Sequence, residues 1–136
     1  MHSSTLFQVP AWILFIGRLL YAISVFILGN GNLFQAKQKI AYAESKNVPG
    51  ASFLVPLSGL LIVLGTISIA IGWFAQIGAL MLIVFLIPTS IMMHDYWNLE
   101  DAQQKMNQKI HFWKNIALLG GALIILYFGA GPISIH

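Results

Sequence analysis

The sequence predicts an all-α integral membrane protein, a four-helix bundle with a short amphipathic helix in the membrane interface between spans one and two. Hydrophobic residues make up 58% of the chain and charged residues only 8%, whereas about 25% charged residues is usual in a soluble domain. A soluble fold of 136 residues could not bury that much apolar surface. Four long apolar runs separated by polar segments supply the spans, and we interpret 1–136 as a single transmembrane domain.

The first span is predicted at about residues 10–28. Pro10 suits a first helical turn, and a helix of this length crosses roughly 30 Å of hydrocarbon. The span contains one charge, Arg18, which we expect either to pair within the bundle or to contact a ligand. Because the first nine residues contain no Lys or Arg, we predict no cleavable signal sequence, and the first span should remain as a membrane anchor.

The segment from Leu33 to Lys46 is the predicted amphipathic helix. Gly and Asn residues at 29–32 end the first span, since both tolerate left-handed backbone conformations. Apolar residues then alternate with polar ones, among them Lys37 and Lys39. This pattern is typical of a basic helix that lies on anionic lipid.

Spans two, three and four are predicted at about 53–72, 77–93 and 112–129. The turn between the second and third is so short that these two spans should form an antiparallel hairpin. Pro88 should kink the third span, and Gly129–Pro132 should end the fourth. Small residues predict close helix contacts in lipid; they are Gly59, Gly65, Ser68, Gly72, Ala117, Gly120 and Gly121.

The positive charge of the chain indicates its orientation. Six of the seven basic residues lie in or beside two loops: Lys37, Lys39, Lys46, Lys105, Lys109 and Lys114. The second loop and both tails have none. The positive-inside rule therefore predicts a bacterial-type inner (plasma) membrane protein with loops one and three cytoplasmic and both termini outside. We attribute the net positive charge to the loop lysines that set the orientation in the membrane, so no nucleic-acid partner is expected. The absence of cysteine excludes disulfides and thiol catalysis within this chain.

We expect a functional site in the polar stretch His94–Asp101, which continues to His111–Asn115. His111, Lys114 and Asn115 lie three and four residues apart and so share one face of a helix. Asp95 is the expected carboxylate partner of Lys114. Four interpretations remain open: residues that mark the water interface, a site for a quinone or similar redox ligand, a metal site from His94, Asp95 and His111, or a conduit for protons or small solutes.

Several motifs, in order along nearly the whole chain, carry a family resemblance. They are Gly17–Leu20, Ala41–Ala43, Val48–Pro49, Val55–Gly59, Pro88–Thr89, His94–Asn98, Ile110–Asn115, Ala117–Gly121 and Gly129–Gly131. On these motifs the sequence resembles the DoxX family of small four-span membrane proteins. The resemblance implies a four-helix membrane bundle associated with quinone-linked redox enzymes. The polar positions inside matching motifs are the candidate ligand-binding residues: Arg18, His94, Asp95, Asn98, His111, Lys114 and Asn115.

We therefore expect an accessory or quinone-interacting subunit of a membrane redox system, with a quinone as the candidate cofactor. Expected partners are the lipid bilayer, other redox-complex subunits and a second copy of the chain. The alternative is a non-catalytic scaffold or assembly protein that docks a partner through its loop faces. Whether the chain catalyses a reaction, and on which substrate, is left open, and no resident metal is expected.

Overall fold

The computed structural model describes residues 8–131, and within that range the regular structure is entirely helical. Four of its helices are long and apolar enough to cross a membrane, which confirms the predicted fold class. The helices, in chain order, are α1 (Ala11–Gly29), α2 (Gly31–Phe34), α3 (Ala36–Ser45), α4 (Ala51–Ile71), α5 (Ala75–Met92) and α6 (Ala102–Phe128), with a single 3-10 turn at Tyr96–Asn98 between α5 and α6.

Helices α4 and α5 form the predicted hairpin. Gly72 ends α4 with φ +74°, a conformation that costs glycine little. The turn is held by the Ser68 hydroxyl, which donates to the backbone carbonyls of Trp73 and Phe74. Further along, the two backbones meet at Gly65 and Gly78. Close approach of this kind is how helices gain packing contacts in lipid.

The core of the bundle lies between α1, α4, α5 and α6. Its fully buried large side chains are Ile62 and Ile69 of α4 and Leu82 and Leu86 of α5. α4 is the central helix, because it packs against α1, α2, α3 and α5, while α6 packs against α5.

The predicted amphipathic helix is present, but it is divided into α2 and α3 at Gln35. α2 rests on Gly59, where an added Cβ would lie 2.7 Å from the backbone carbon of Asn32. The Asn32 amide also donates to the Ser58 hydroxyl at 2.9 Å. α3 then packs through buried Ala43 against the start of α4. The segment is therefore fixed to the bundle, and its location in the membrane interface stays a prediction.

Helix α6 begins at Ala102, ten residues before the predicted start of the fourth span at Phe112. Asp101 caps it, since its carboxylate accepts from the backbone N–H of Gln104 at 2.9 Å. At about 1.5 Å per residue, 27 residues exceed the hydrocarbon thickness, so the polar first turns extend beyond it. Lys114 consequently lies in the middle of the helix and not near the positive end of its dipole.

Two further sequence expectations concern prolines and small residues. α5 continues through Pro88 to Met92 without interruption. Gly120 has no atom within 4 Å of an added Cβ, so it makes no close contact, whereas Gly121 packs directly against the Tyr21 ring. The expectations for the first seven residues and for Pro132 concern positions outside the described range.

Candidate functional site

A cavity of about 680 Å³ lies between α1 and α3 on one side and α5 and α6 on the other, with α4 contributing throughout. We call it the cleft. Its polar lining residues are Asn32, Gln38, Lys39, Tyr42, Ser58, Thr89, His94, Gln108, His111, Lys114 and Asn115. Apolar side chains supply the rest of the wall, among them Val25, Leu57, Leu61, Val84 and Leu118.

The end of the cleft nearest the third loop is basic, and we call Lys39, His94, His111 and Lys114 its basic end. The rings of His94 and His111 are stacked with centroids 5.2 Å apart. His94 Nδ1 lies 2.7 Å from the Gln108 side-chain oxygen, and the Lys114 ammonium lies 3.1 Å from His111 Nδ1. Lys39 of α3 interacts electrostatically with all three of the other members.

The hydrogen bonds assign a role to each ring nitrogen. An ammonium can only donate, so His111 Nδ1 accepts and the neutral ring carries its proton on Nε2. An amide oxygen can only accept, so His94 donates from Nδ1. In the described part of the chain, no side chain accepts from the His111 Nε2–H.

Asn115 lies one turn beyond His111 on the same face of α6. It is only 7% exposed and lines the cleft. Its side-chain amide makes no hydrogen bond with any residue between 8 and 131. Its amide atoms are nevertheless accessible, because neither of them is both buried and unpaired. The amide is therefore positioned to bond to a molecule in the cleft.

The lining of the cleft contains no Asp or Glu. Asp95 is not the partner of Lys114, as the sequence suggested. Its carboxylate pairs instead with Lys46 at the end of α3 and accepts from the Asn98 amide at 3.0 Å. The cations of the basic end thus have no carboxylate beside them in the cleft wall.

Arg18 lies away from the cleft, near the opposite end of α4. It is 5% exposed, and its guanidinium donates to the carbonyls of Ala70 at 3.2 Å and Ala130 at 2.9 Å. The Phe15 ring lies 5.1 Å from it. Ala70 is in the last turn of α4, where carbonyls lack helical partners and the dipole attracts a cation. These contacts join α1, α4 and the end of α6.

The structure thus brings four of the seven candidate residues together, namely His94, His111, Lys114 and Asn115, and separates Arg18, Asp95 and Asn98 from them. Sequence reasoning missed Lys39, Tyr42 and Gln108. Gln108 precedes His111 by three residues and extends the same helical stripe, a signal that could have identified it. No comparable signal tells which face of α3 turns inward. No group of three His, Asp or Glu side chains within 8–131 is arranged to hold a metal ion.

These features define a multi-pass helical membrane protein with a basic-ended cleft among its spans. The model of the SURF4 family matches residues 47–136, about two thirds of the sequence, so the chain belongs to that family. The chain is 25% identical over 123 residues to the inner membrane protein YphA of Escherichia coli K12, covering 90% of this chain and 87% of YphA.

A second relative is the ER-derived vesicles protein ERV29 of Saccharomyces cerevisiae. It is 28% identical over 139 aligned positions, which cover 88% of this chain and 44% of ERV29. The chain therefore spans less than half the length of the yeast relative. No solved structure matches it.

The family match corrects the identification made from the motifs. Membership of the DoxX family is wrong, because the matching family is SURF4. The expected quinone-interacting redox function is wrong with it, since neither the family nor the vesicle relative supports quinone or oxidoreductase chemistry. The alternative function, a scaffold that docks a partner through its loop faces, is not supported by the family match either.

Proposed function

We propose that this protein is a membrane-embedded binding protein that holds an amphipathic ligand in the cleft. The observation that carries the proposal is the cleft itself, which combines a long apolar wall with a small set of convergent polar groups at one end. Its volume falls within the roughly 300–1,000 Å³ of small-molecule sites, and its lining has their typical composition.

The two relatives are consistent with such a role. One is a protein of a bacterial inner membrane and the other of ER-derived vesicles. Binding an amphipathic molecule among the spans depends on a bilayer and not on a particular compartment. A binding function can therefore be shared by family members that occupy different membranes.

We also propose that the chain occupies a bacterial-type inner membrane with α3 and the third loop on the cytoplasmic side. The support is the distribution of lysines, six of which lie in or beside the first and third loops. The likeness to YphA over most of both chains also supports it. The basic end of the cleft then faces the cytoplasm.

The test of the binding function is photo-crosslinking of the full chain in phosphatidylcholine nanodiscs. Two single-chain lipid probes of equal chain length carry a diazirine at the end of the acyl chain. They differ only in the head group, which is a carboxylate in the fatty acid and an uncharged glycerol ester in the monoacylglycerol. We expect at least one probe to label cleft residues. Leu118→Trp, which fills the inner end of the cleft, should abolish that labelling.

Leu123→Trp is the matched control, because Leu123 is on the same helix but is half exposed and does not line the cleft. It should leave labelling unchanged. If neither probe labels the cleft, or if both tryptophan variants behave alike, the binding function is wrong.

A further inference from the structure

We infer that the basic end of the cleft is an anion site for an anionic lipid, which places its carboxylate or phosphate against Lys114, His111 and Asn115 and its acyl chain along the apolar wall. This inference rests on the proposed binding function and names the ligand class of the same cleft. It follows from the charge of the cleft wall, the hydrogen-bond donors on α6, the gradient of polarity along α6, and the route of access.

The first step is the charge of the wall. Lys39, His94, His111 and Lys114 approach one another within a cleft whose lining has no carboxylate. The Lys114 ammonium bonds to His111 Nδ1, a neutral acceptor. Lys114 is partly buried and Lys39 is exposed, so the charge of Lys114 is the one that gains most from a partner inside the cleft. An anion bound here would supply the missing negative charge.

The second step is the direction of the hydrogen-bond donors. The Lys114 ammonium, the His111 Nε2–H and the Asn115 amide N–H all belong to one face of α6 within four residues. Asn115 is more than nine-tenths buried and has no hydrogen-bond partner between residues 8 and 131. Several donors on one face of a cleft match the oxygens of a carboxylate or phosphate, which only accept when ionised.

The third step is the gradient of polarity along α6. Gln108 and His111 lie nearest the loop, Lys114 and Asn115 follow, and Leu118 lies one turn deeper. From there the wall consists of apolar side chains such as Val25 and Ile62. A ligand that fits this order has an anionic head at the loop end and a hydrocarbon chain that points toward the middle of the bundle.

The fourth step is the route of access. Leu28, Leu57 and Val84 line the cleft and are also 53%, 38% and 56% exposed. These side chains belong to helices that are long and apolar enough to cross a membrane, where exposed apolar surface meets hydrocarbon. An opening of the cleft between these helices would give lipid direct access to it. The molecule that reaches it most directly is a lipid, which favours an anionic lipid over a peptide or a free anion.

The two diazirine probes described above also test this inference, with binding measured as the probe concentration that gives half-maximal labelling of cleft residues. The fatty acid should bind about tenfold more tightly than the neutral monoacylglycerol. Lys114→Gln should remove most of that preference and leave the neutral probe unchanged. Lys109→Gln is the matched control, because Lys109 is an exposed lysine of the same helix outside the cleft lining.

Asn115→Leu is a second variant, which removes a donor without changing charge. It should weaken the fatty acid several-fold and strengthen or preserve binding of the neutral probe. Because this shift separates the two probes, a variant that had merely lost its fold would not produce it.

Equal binding of both probes to the wild-type cleft would overturn the anion site while leaving the binding function intact. Equal effects of Lys114→Gln and Lys109→Gln would overturn it as well. Millimolar inorganic phosphate that displaced the fatty acid completely would assign the site to a free anion. Displacement by an apolar peptide with a free carboxyl terminus, but not by unlabelled fatty acid or phosphatidic acid, would assign it to a peptide. Either of the last two results would overturn the lipid assignment.

Discussion

At the scale of single residues, the pairing of Asp95 with Lys46 decides what the other polar groups are free to do. It fixes the carboxylate that directly follows cleft-lining His94 to the end of α3. Both side chains are largely buried, at 16% and 17% exposure. The pair therefore ties the third loop to the first and leaves the basic end of the cleft without a carboxylate in its lining.

We expect Asp95→Asn to lower the free energy of unfolding by about 1–3 kcal/mol, between the values for exposed and buried ion pairs. Thermal unfolding in detergent measures it. The double variant Asp95→Asn/Lys46→Gln should lose little more than Asp95→Asn alone, because the interaction is already gone. Glu100→Gln, an exposed acid of the same loop, is the control. Strictly additive losses would contradict the assigned pair.

At the scale of helices, the contact between α4 and α5 depends on two glycines that face each other. A Cβ at position 65 would lie 2.9 Å from the carbonyl oxygen of Gly78, and a Cβ at position 78 would lie 2.7 Å from that of Gly65. Neither backbone can yield without moving its helix. This contact holds together the hairpin from which two walls of the cleft arise.

Gly65→Ala should therefore destabilise the protein by about 1–3 kcal/mol, as overpacking does in other cores. Gly120→Ala is the matched substitution, because nothing lies within 4 Å of an added Cβ there. It should be neutral or stabilising by up to about 1 kcal/mol, since alanine is the better helix former. Thermal unfolding of the two variants side by side gives the answer, and an equal loss in both would show that the glycine contact does not support the bundle.

At the scale of the whole molecule, the two ends of the bundle differ in the polar residues that they carry. One end carries α3, the third loop and the lysines, whereas the other carries the turn at Trp73 and Phe74 and the Arg18 contacts. Arg18 is held by backbone carbonyls at that second end. The asymmetry of the lysines is the basis for the proposed orientation.

The natural absence of cysteine makes the orientation simple to measure. Glu100→Cys places a thiol in the exposed third loop, and Trp73→Cys places one at the opposite end. A membrane-impermeant maleimide added to intact cells should label position 73 at once and position 100 only after permeabilisation. The reverse pattern would show that loops one and three lie outside.

Much of the fold could be predicted because a membrane-spanning helix requires a long apolar run, which is visible in the sequence. The hairpin of α4 and α5 follows from two apolar runs with a short turn between them. The start of α6 was missed because hydropathy detects only the apolar part of a helix, while the helix itself begins at the cap formed by Asp101 and Gln104. That pair of residues, three positions apart, is a sequence signal for a helix start.

The site could be predicted only in part. His111, Lys114 and Asn115 share one helix face, so their grouping follows from spacing alone. The contribution of Lys39 and the partner of Asp95 depend on how α3 folds back onto α4, which is a long-range contact. Local spacing carries no information about it. The resemblance in short motifs likewise failed to identify the correct family.

Tyr21 lies at the inner end of the cleft. Its hydroxyl donates to the Leu118 carbonyl, and its ring packs on Gly121, so α1 and α6 are joined immediately beyond the inner end of the cleft. Tyr21 is near the midpoint of α1. If the proposed lipid occupies the cleft, its chain meets this contact at the inner end, and passing beyond it there would require α1 to move away from α6. Under the proposed function, this contact favours retention of a lipid over its transfer between leaflets.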